Sequence, residues 1–136
     1  MPASPTPEQF RAVASLRAAL RRFSRDSERI AREEGLTPRQ YLLLLLIKGA
    51  PDASQRSTVT ELARQLQLTQ STVTELVRRA EDAGLLAREG SREDARVTWL
   101  SLSEEGERRL TKAFSRLGPE RKRLYAILSE AEGTED

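Results

Sequence analysis

Two short helical patterns, a two-residue turn and two strand-like segments follow one another between Thr58 and Leu102, and they limit this fold more than any other feature. Thr58-Val59-Thr60-Glu61 has the spacing of a capping box, in which a hydroxyl accepts from an orphan N–H and an acid three residues on reaches back. It opens a helix with Leu62, Ala63 and Leu66 on its inner side. Gln67-Leu68 turns the chain, and Gln67 stands where a glycine is usual. Thr69 caps a second helix, which buries Val73, Leu76, Val77 and Ala80 and stops at Gly84. Two helices joined so tightly describe a helix-turn-helix. Leu85–Glu89 then reads as a strand, Gly90–Arg96 as a polar hairpin loop and Val97–Leu102 as the returning strand. The expected fold is mainly α with a small two-stranded β-wing.

Helices flank this region. Thr6-Pro7-Glu8-Gln9 is another start signal, with proline at the first helical position. Phe10, Val13, Leu16, Leu20, Phe23 and Ile30 follow at spacings of three and four along a helix that stops at Gly35. Arg11, Arg17, Arg21, Arg22, Arg25 and Arg29 lie between them, as a solvated face or one that meets phosphate. Thr37-Pro38-Arg39-Gln40 repeats the start signal ahead of Tyr41–Ile47, a run apolar on every side that belongs inside a core. After the hairpin, a helix opening near Ser101 or Ser103 carries Leu110, Ala113, Phe114 and Leu117. Gly118-Pro119 breaks it, and a last helix carries Leu124, Tyr125, Ile127 and Leu128 before an acidic end, Glu130 to Asp136, expected to fray.

Composition excludes several functions. The chain has 136 residues, the length of one domain. It contains no cysteine and no histidine, which removes thiolate metal sites, serine–histidine triads and a histidine pH switch. No Gly-rich phosphate loop or nucleophile motif is present, so no enzyme, cofactor or metal is expected. No apolar run reaches membrane-spanning length, and the N-terminus lacks a secretion signal, so a cytoplasmic protein without membrane contact is expected. The net charge is +2 overall. Residues 55–100 hold seven arginines against seven acids, so any DNA-attracting face must come from arrangement rather than excess.

With Val73, Leu76 and Val77 buried, the second helix of the pair leaves Gln70, Ser71, Thr72, Thr74, Glu75 and Arg78 outside. The first residues of a recognition helix meet base edges in the major groove. Gln70 suits adenine, and Ser71 and Thr72 suit bases or phosphates. A merely solvated helix face is the plainer alternative.

The segments GLTPRQYLLL from Gly35, STVTELARQLQLTQSTVTELVRRAEDAGLL from Ser57 and REDARVTWLSLSEEG from Arg92 resemble the MarR (multiple antibiotic resistance regulator) family of winged-helix transcription factors. The resemblance implies a homodimer. Residues 6–34 and 104–131 would be dimerisation helices, 37–50 a core helix and 55–102 the DNA-binding winged helix-turn-helix. It implies a sequence-specific regulator of double-stranded DNA, a repressor on a pseudo-palindromic operator that a small phenolic or lipophilic effector relieves. It assigns Arg96 to the minor groove, held by Asp94, with Arg92 adding a phosphate contact. The plainer reading of Asp94 and Arg96 is an ion pair that stabilises the loop.

The chain departs from the family pattern at two positions. Ser103 replaces the usual threonine, which keeps the capping hydroxyl, and Glu75 stands where arginine is common. A carboxylate there can accept from cytosine N4 or pair with Arg79 one turn on. Glu75 and the neutral charge sum favour the alternative function, a dimeric winged-helix protein-interaction module that does not bind DNA.

Overall fold

Hydroxyl caps set the helix starts. In the computed structural model, which describes residues 3–91 and 93–135, helix α1 runs Pro7–Glu33 and α2 runs Pro38–Lys48. Ahead of α1 the Gln9 N–H donates to Thr6 Oγ1 (3.2 Å) and the Thr6 N–H to Gln9 Oε1 (2.9 Å). Thr37 and Gln40 repeat this box at 3.1 and 3.0 Å. Helix α3 spans Val59–Leu66 and α4 spans Gln70–Asp82, capped by Thr58 and Thr69. The expected box at Thr58 forms only by half. Thr58 accepts from the Glu61 N–H, but the Glu61 carboxylate turns outward to Arg64. The cationic guanidinium, which offers two donors to the two carboxylate oxygens, wins over the single backbone N–H.

Three helix ends share one geometry. After α1 the Leu36 N–H reaches Ala31 O (2.8 Å) and the Gly35 N–H reaches Arg32 O (3.0 Å). The same pair of bonds closes α3 at Gln67-Leu68 and α4 at Gly84-Leu85. This closure needs a left-handed residue, normally glycine. Gly35 (φ 81°) and Gly84 (φ 76°) supply it, and so does Gln67 (φ 57°), as its place in the turn predicts.

Strands β1, Leu86–Gly90, and β2, Thr98–Leu102, pair antiparallel with Leu86 opposite Leu102 and Gly90 opposite Thr98. An isolated bridge between Ser57 and Leu100 ties the residue before the Thr58 cap to β2. Helix α5, Glu104–Arg116, is capped by Ser103, and α6 runs Gly118–Gly133.

The chain divides into two compact units. The first, Ala31–Lys112, has an apolar core of Leu43, Leu44, Ile47, Leu62, Val73, Val77, Leu85 and Leu100. Each such side chain contributes roughly 1.5–3 kcal/mol on burial. The apolar run Tyr41–Ile47 of α2 is not wholly interior, because Leu42 stays 42% exposed on a face that this unit does not cover.

The second unit, Met1–Ile30 with Ala113–Asp136, buries Ala19, Ile30, Ala113 and Leu117. Phe10, Val13, Leu20, Phe114, Tyr125 and Leu128 remain exposed on it. The acidic end expected to fray stays helical to Gly133, where the Thr134 hydroxyl donates to Ala131 O (2.8 Å).

Candidate nucleic-acid interface

Helix α4 presents a polar face because its apolar residues recur on the other side. Val73, Val77 and Ala80 are fully buried. Gln70, Ser71, Thr74 and Arg78 are exposed, while Thr72 and Glu75 are half-buried. The Thr72 hydroxyl is already engaged, 2.8 Å from Thr69 Oγ1, so it belongs to the cap. Ser71 Oγ lies 3.2 Å from that same cap oxygen. Gln70 and Thr74 are the most open groups of the first turns, and the exposed Ser71 hydroxyl keeps acceptor capacity beside its contact with the cap.

Further along α4 the charges satisfy one another. Arg78 Nε donates to Glu75 Oε2 at 3.0 Å, and Arg79 Nε donates to Glu75 Oε1 at 3.1 Å. Arg78 Nη1 also reaches Asp82 Oδ2 at 3.0 Å. The hydrogen bond from Arg78, then that from Arg79, holds the Glu75 carboxyl down to about 2. Of the two sequence-level options for Glu75, pairing with Arg79 is the one realised in the free protein, with Arg78 as a second partner.

The wing treats its arginine differently. Asp94 Oδ1 accepts from the Arg96 backbone N–H (3.0 Å) and from Arg96 Nε (3.2 Å). These two bonds, the backbone one first, hold the Asp94 carboxyl below its ordinary value. The loop is set by Ser91, whose Oγ accepts from the Asp94 N–H at 3.2 Å, and by the Val97 N–H on Asp94 O at 3.0 Å. Arg96 Nη2 also reaches Asp94 Oδ2, at 3.5 Å, so one edge of the guanidinium is aligned, yet the side chain remains 91% exposed. Arg92 lies outside the described residues.

Wing and helix share a support. The Ser103 hydroxyl donates to Gly84 O (2.6 Å) and accepts from the Gly106 N–H (3.0 Å), while the Ser103 N–H donates to Leu85 O (3.0 Å). A Cβ on Gly106 would fall 2.2 Å from Leu85 O, so only glycine lets α5 approach so closely. Arg88 on β1 adds an ion pair back to Glu81 on α4. The Ser-x-x-Gly pattern after β2 is thus a clamp that fixes the wing root against the end of α4.

One functional candidate escaped the sequence reading. The Arg56 guanidinium stacks on Trp99, 4.2 Å from the ring centre. The signal available was a lone tryptophan on the second strand; its partner lies 43 positions away in sequence, where no local pattern reaches.

Residues 34–97, the segment that contains α2 to α4 and the wing loop, match the sequence profile of the MarR family. The chain is a MarR-family winged-helix protein. Over 91 residues it is 33% identical to the organic hydroperoxide resistance transcriptional regulator of Bacillus subtilis, a match covering 67% of this chain. That stretch spans 59% of the relative's length. The structure is similar to AbsC, a MarR family transcriptional regulator from Streptomyces coelicolor, at a TM-score of 0.71 and 21% identity, covering 93% of this chain and 84% of that one. It is also similar to a mutant MarR from E. coli complexed with operator DNA, at a TM-score of 0.66 and 17% identity, covering 90% and 85%. Both likenesses show the winged-helix fold of MarR-family regulators, with its six helices and two-stranded sheet. The relatives are named as regulators rather than enzymes, in agreement with the composition.

Proposed function

We propose that this protein is a sequence-specific DNA-binding transcription regulator that acts as a homodimer in the cytoplasm. The observation that carries the reading is the wing arginine: Arg96 is almost fully exposed, yet its guanidinium is aligned by Asp94. Arginine in that setting suits the narrow, electronegative minor groove of A·T-rich flanks. The first turns of α4 then enter the major groove, where Gln70 faces adenine and Thr74, with Ser71, faces bases or phosphates. Arg78 and Arg92 add phosphate contacts, and Thr72 supports the cap beside them.

Homodimerisation is supported by the unit built from the two chain ends. Phe10 is 65% exposed and Tyr125 is 61% exposed there, and a two-fold copy supplies the cover that such side chains lack. Action as a repressor relieved by a small phenolic or lipophilic effector follows the family pattern. The hydroperoxide role in the name of the B. subtilis relative does not transfer by thiol chemistry, because this chain has no cysteine to oxidise. Peroxide should therefore leave its DNA affinity unchanged.

The Glu75–Arg78–Arg79 cluster favours a second reading, a dimeric interaction module without DNA binding, because it neutralises cations on the face offered to DNA. A gel shift with the intergenic DNA beside the protein's own gene separates the two. A discrete complex that survives scrambled competitor supports the regulator, and the absence of any complex at low salt gives the module the lead.

A further inference from the structure

Six described arginines lie between residues 55 and 100, and five are ion-paired: Arg64 with Glu61, Arg78 with Glu75, Arg79 with Glu75, Arg88 with Glu81 and Arg96 with Asp94. Arg56 is the sixth. Among the described residues its guanidinium makes no ion pair or hydrogen bond with a carboxylate, although Asp52 feels its charge through space, and it lies instead over the face of Trp99. A guanidinium stacked by its face keeps its N–H donors at the rim, in the plane where a phosphate accepts them.

The backbone is held so that this stack forms. The Ser57 N–H donates to Leu100 O (2.9 Å) and the Leu100 N–H to Ser57 O (2.8 Å), fixing the next residue against β2. Before it, Ser54 Oγ donates to Arg56 O (3.1 Å), Asp52 accepts from the Ser54 N–H (3.0 Å) and Lys48 Nζ donates to Gln55 Oε1 (2.9 Å). Ala53 (φ 61°) and Gln55 (φ 59°) both adopt the left-handed conformation that side chains disfavour. Strain of this kind collects where a segment is held for a purpose.

Arg56 borders a hollow of about 260 Å³ with Trp99, Glu89, Gly90, Ser91 and Glu93, on the flank of the loop that carries Asp94 and Arg96. The two carboxylates make this hollow a poor seat for a free anion. They do not bar a phosphate that is anchored by other contacts and met at the exposed rim of Arg56.

We infer that Arg56, stacked on Trp99, is a DNA-backbone contact beside the wing and supplies the positive charge that the neutral sum of this region conceals. The inference rests on the DNA-binding reading above. Trp99 acts through Arg56 as a positioning residue.

The test titrates the full-length protein against a duplex carrying its best intergenic sequence and against a scrambled duplex, between 50 and 200 mM salt. Arg56→Gln should weaken both duplexes by the same factor. Each phosphate contact removed should also flatten the salt dependence, by about 3.5-fold in affinity over that range. Arg56→Lys should keep the wild-type slope, and Trp99→Leu should keep the slope while lowering affinity less than Arg56→Gln does. An unchanged thermal midpoint for Arg56→Gln shows that the fold is intact. If wild type binds and Arg56→Gln retains its slope, or loses affinity on one duplex alone, the inference is overturned and the DNA-binding reading stands. If wild type binds no duplex, both fall together.

Discussion

The wing and helix α4 each pair arginine with carboxylate, to opposite ends. On α4, Glu75 lies between Arg78 and Arg79, and Asp82 takes a further edge of Arg78. The α4 cations are largely compensated by the helix's own carboxylates, although Arg78 stays 58% exposed. In the wing, Asp94 holds Arg96 through its backbone N–H, Nε and, more loosely, Nη2 (3.5 Å), yet the side chain stays 91% exposed and its Nη1 edge faces no carboxylate among the described residues. The difference teaches that a count of charges says little about a DNA face. Which guanidinium edges remain free, and where they are held, decides what the face can bind. In the proposed function, helix α4 would read bases mainly through neutral groups, and the wing would deliver one oriented cation.

The most severe way to break this comparison is to remove the support common to both regions. Gly106→Ala forces a methyl group against Leu85 O and parts the Ser103 clamp. Overpacking of this kind costs about 1–3 kcal/mol or more, and here the upper end is expected, as a thermal midpoint several degrees lower together with lost DNA binding. Asp94→Ala acts on the wing alone. It should leave stability nearly unchanged and weaken binding by less than Arg96→Ala does, since the arginine remains but is no longer aimed. An Asp94→Ala protein that binds as wild type does would make the pair a loop fastening.

Glu75→Gln sharpens the helix side. It frees Arg79 and leaves Arg78 paired only with Asp82, so binding to matched and scrambled duplexes should tighten alike and its salt dependence should steepen. Relaxation at one base position by about 1–3 kcal/mol would instead mean that the carboxylate leaves its arginines and reads cytosine. The same pair has a pH signature. With its carboxyl held at about 2, below the ordinary value of 4.5, Glu75 contributes stability that is complete above pH 4.5 and is lost as pH falls towards 2. The melting temperatures of wild type and Glu75→Gln should therefore converge over that acid range and differ above it. The smallest effect expected is at the turn. Gln67→Gly removes a left-handed side chain and should raise stability by about 0.5–1 kcal/mol, readable in denaturant unfolding.

What the sequence makes legible here is local. Thr6, Thr37, Thr58, Thr69 and Ser103 are read as caps because a hydroxyl and its target N–H lie within one turn, and all five cap in the structure. Gln67 is read as the turn residue because the two flanking apolar patterns leave it no other place. The features that escaped are contacts between distant segments. Nothing near Gly106 in sequence announces Leu85 O, and a single bridge between Ser57 and Leu100 has no period to detect. The box at Thr58 forms only by half, and spacing cannot tell whether Glu61 prefers a backbone N–H or the neighbouring Arg64. The candidate interface was legible as a set of exposed residues, but not as a division between spent and free cations, since that depends on which rotamers meet.

The central claim is that Arg96 reads the shape of the minor groove while α4 reads the major groove. It is tested most directly by changing the flanking A·T pairs of a bound operator to inosine·cytosine or to G·C. Inosine lacks the guanine amino group, so its pair resembles A·T in the minor groove and G·C in the major groove. Wild type should tolerate inosine·cytosine flanks and lose affinity with G·C flanks, and Arg96→Ala should bind all three equally. Wild-type binding that falls as far with inosine·cytosine as with G·C, or an Arg96→Ala protein that keeps the wild-type preference, would contradict the account.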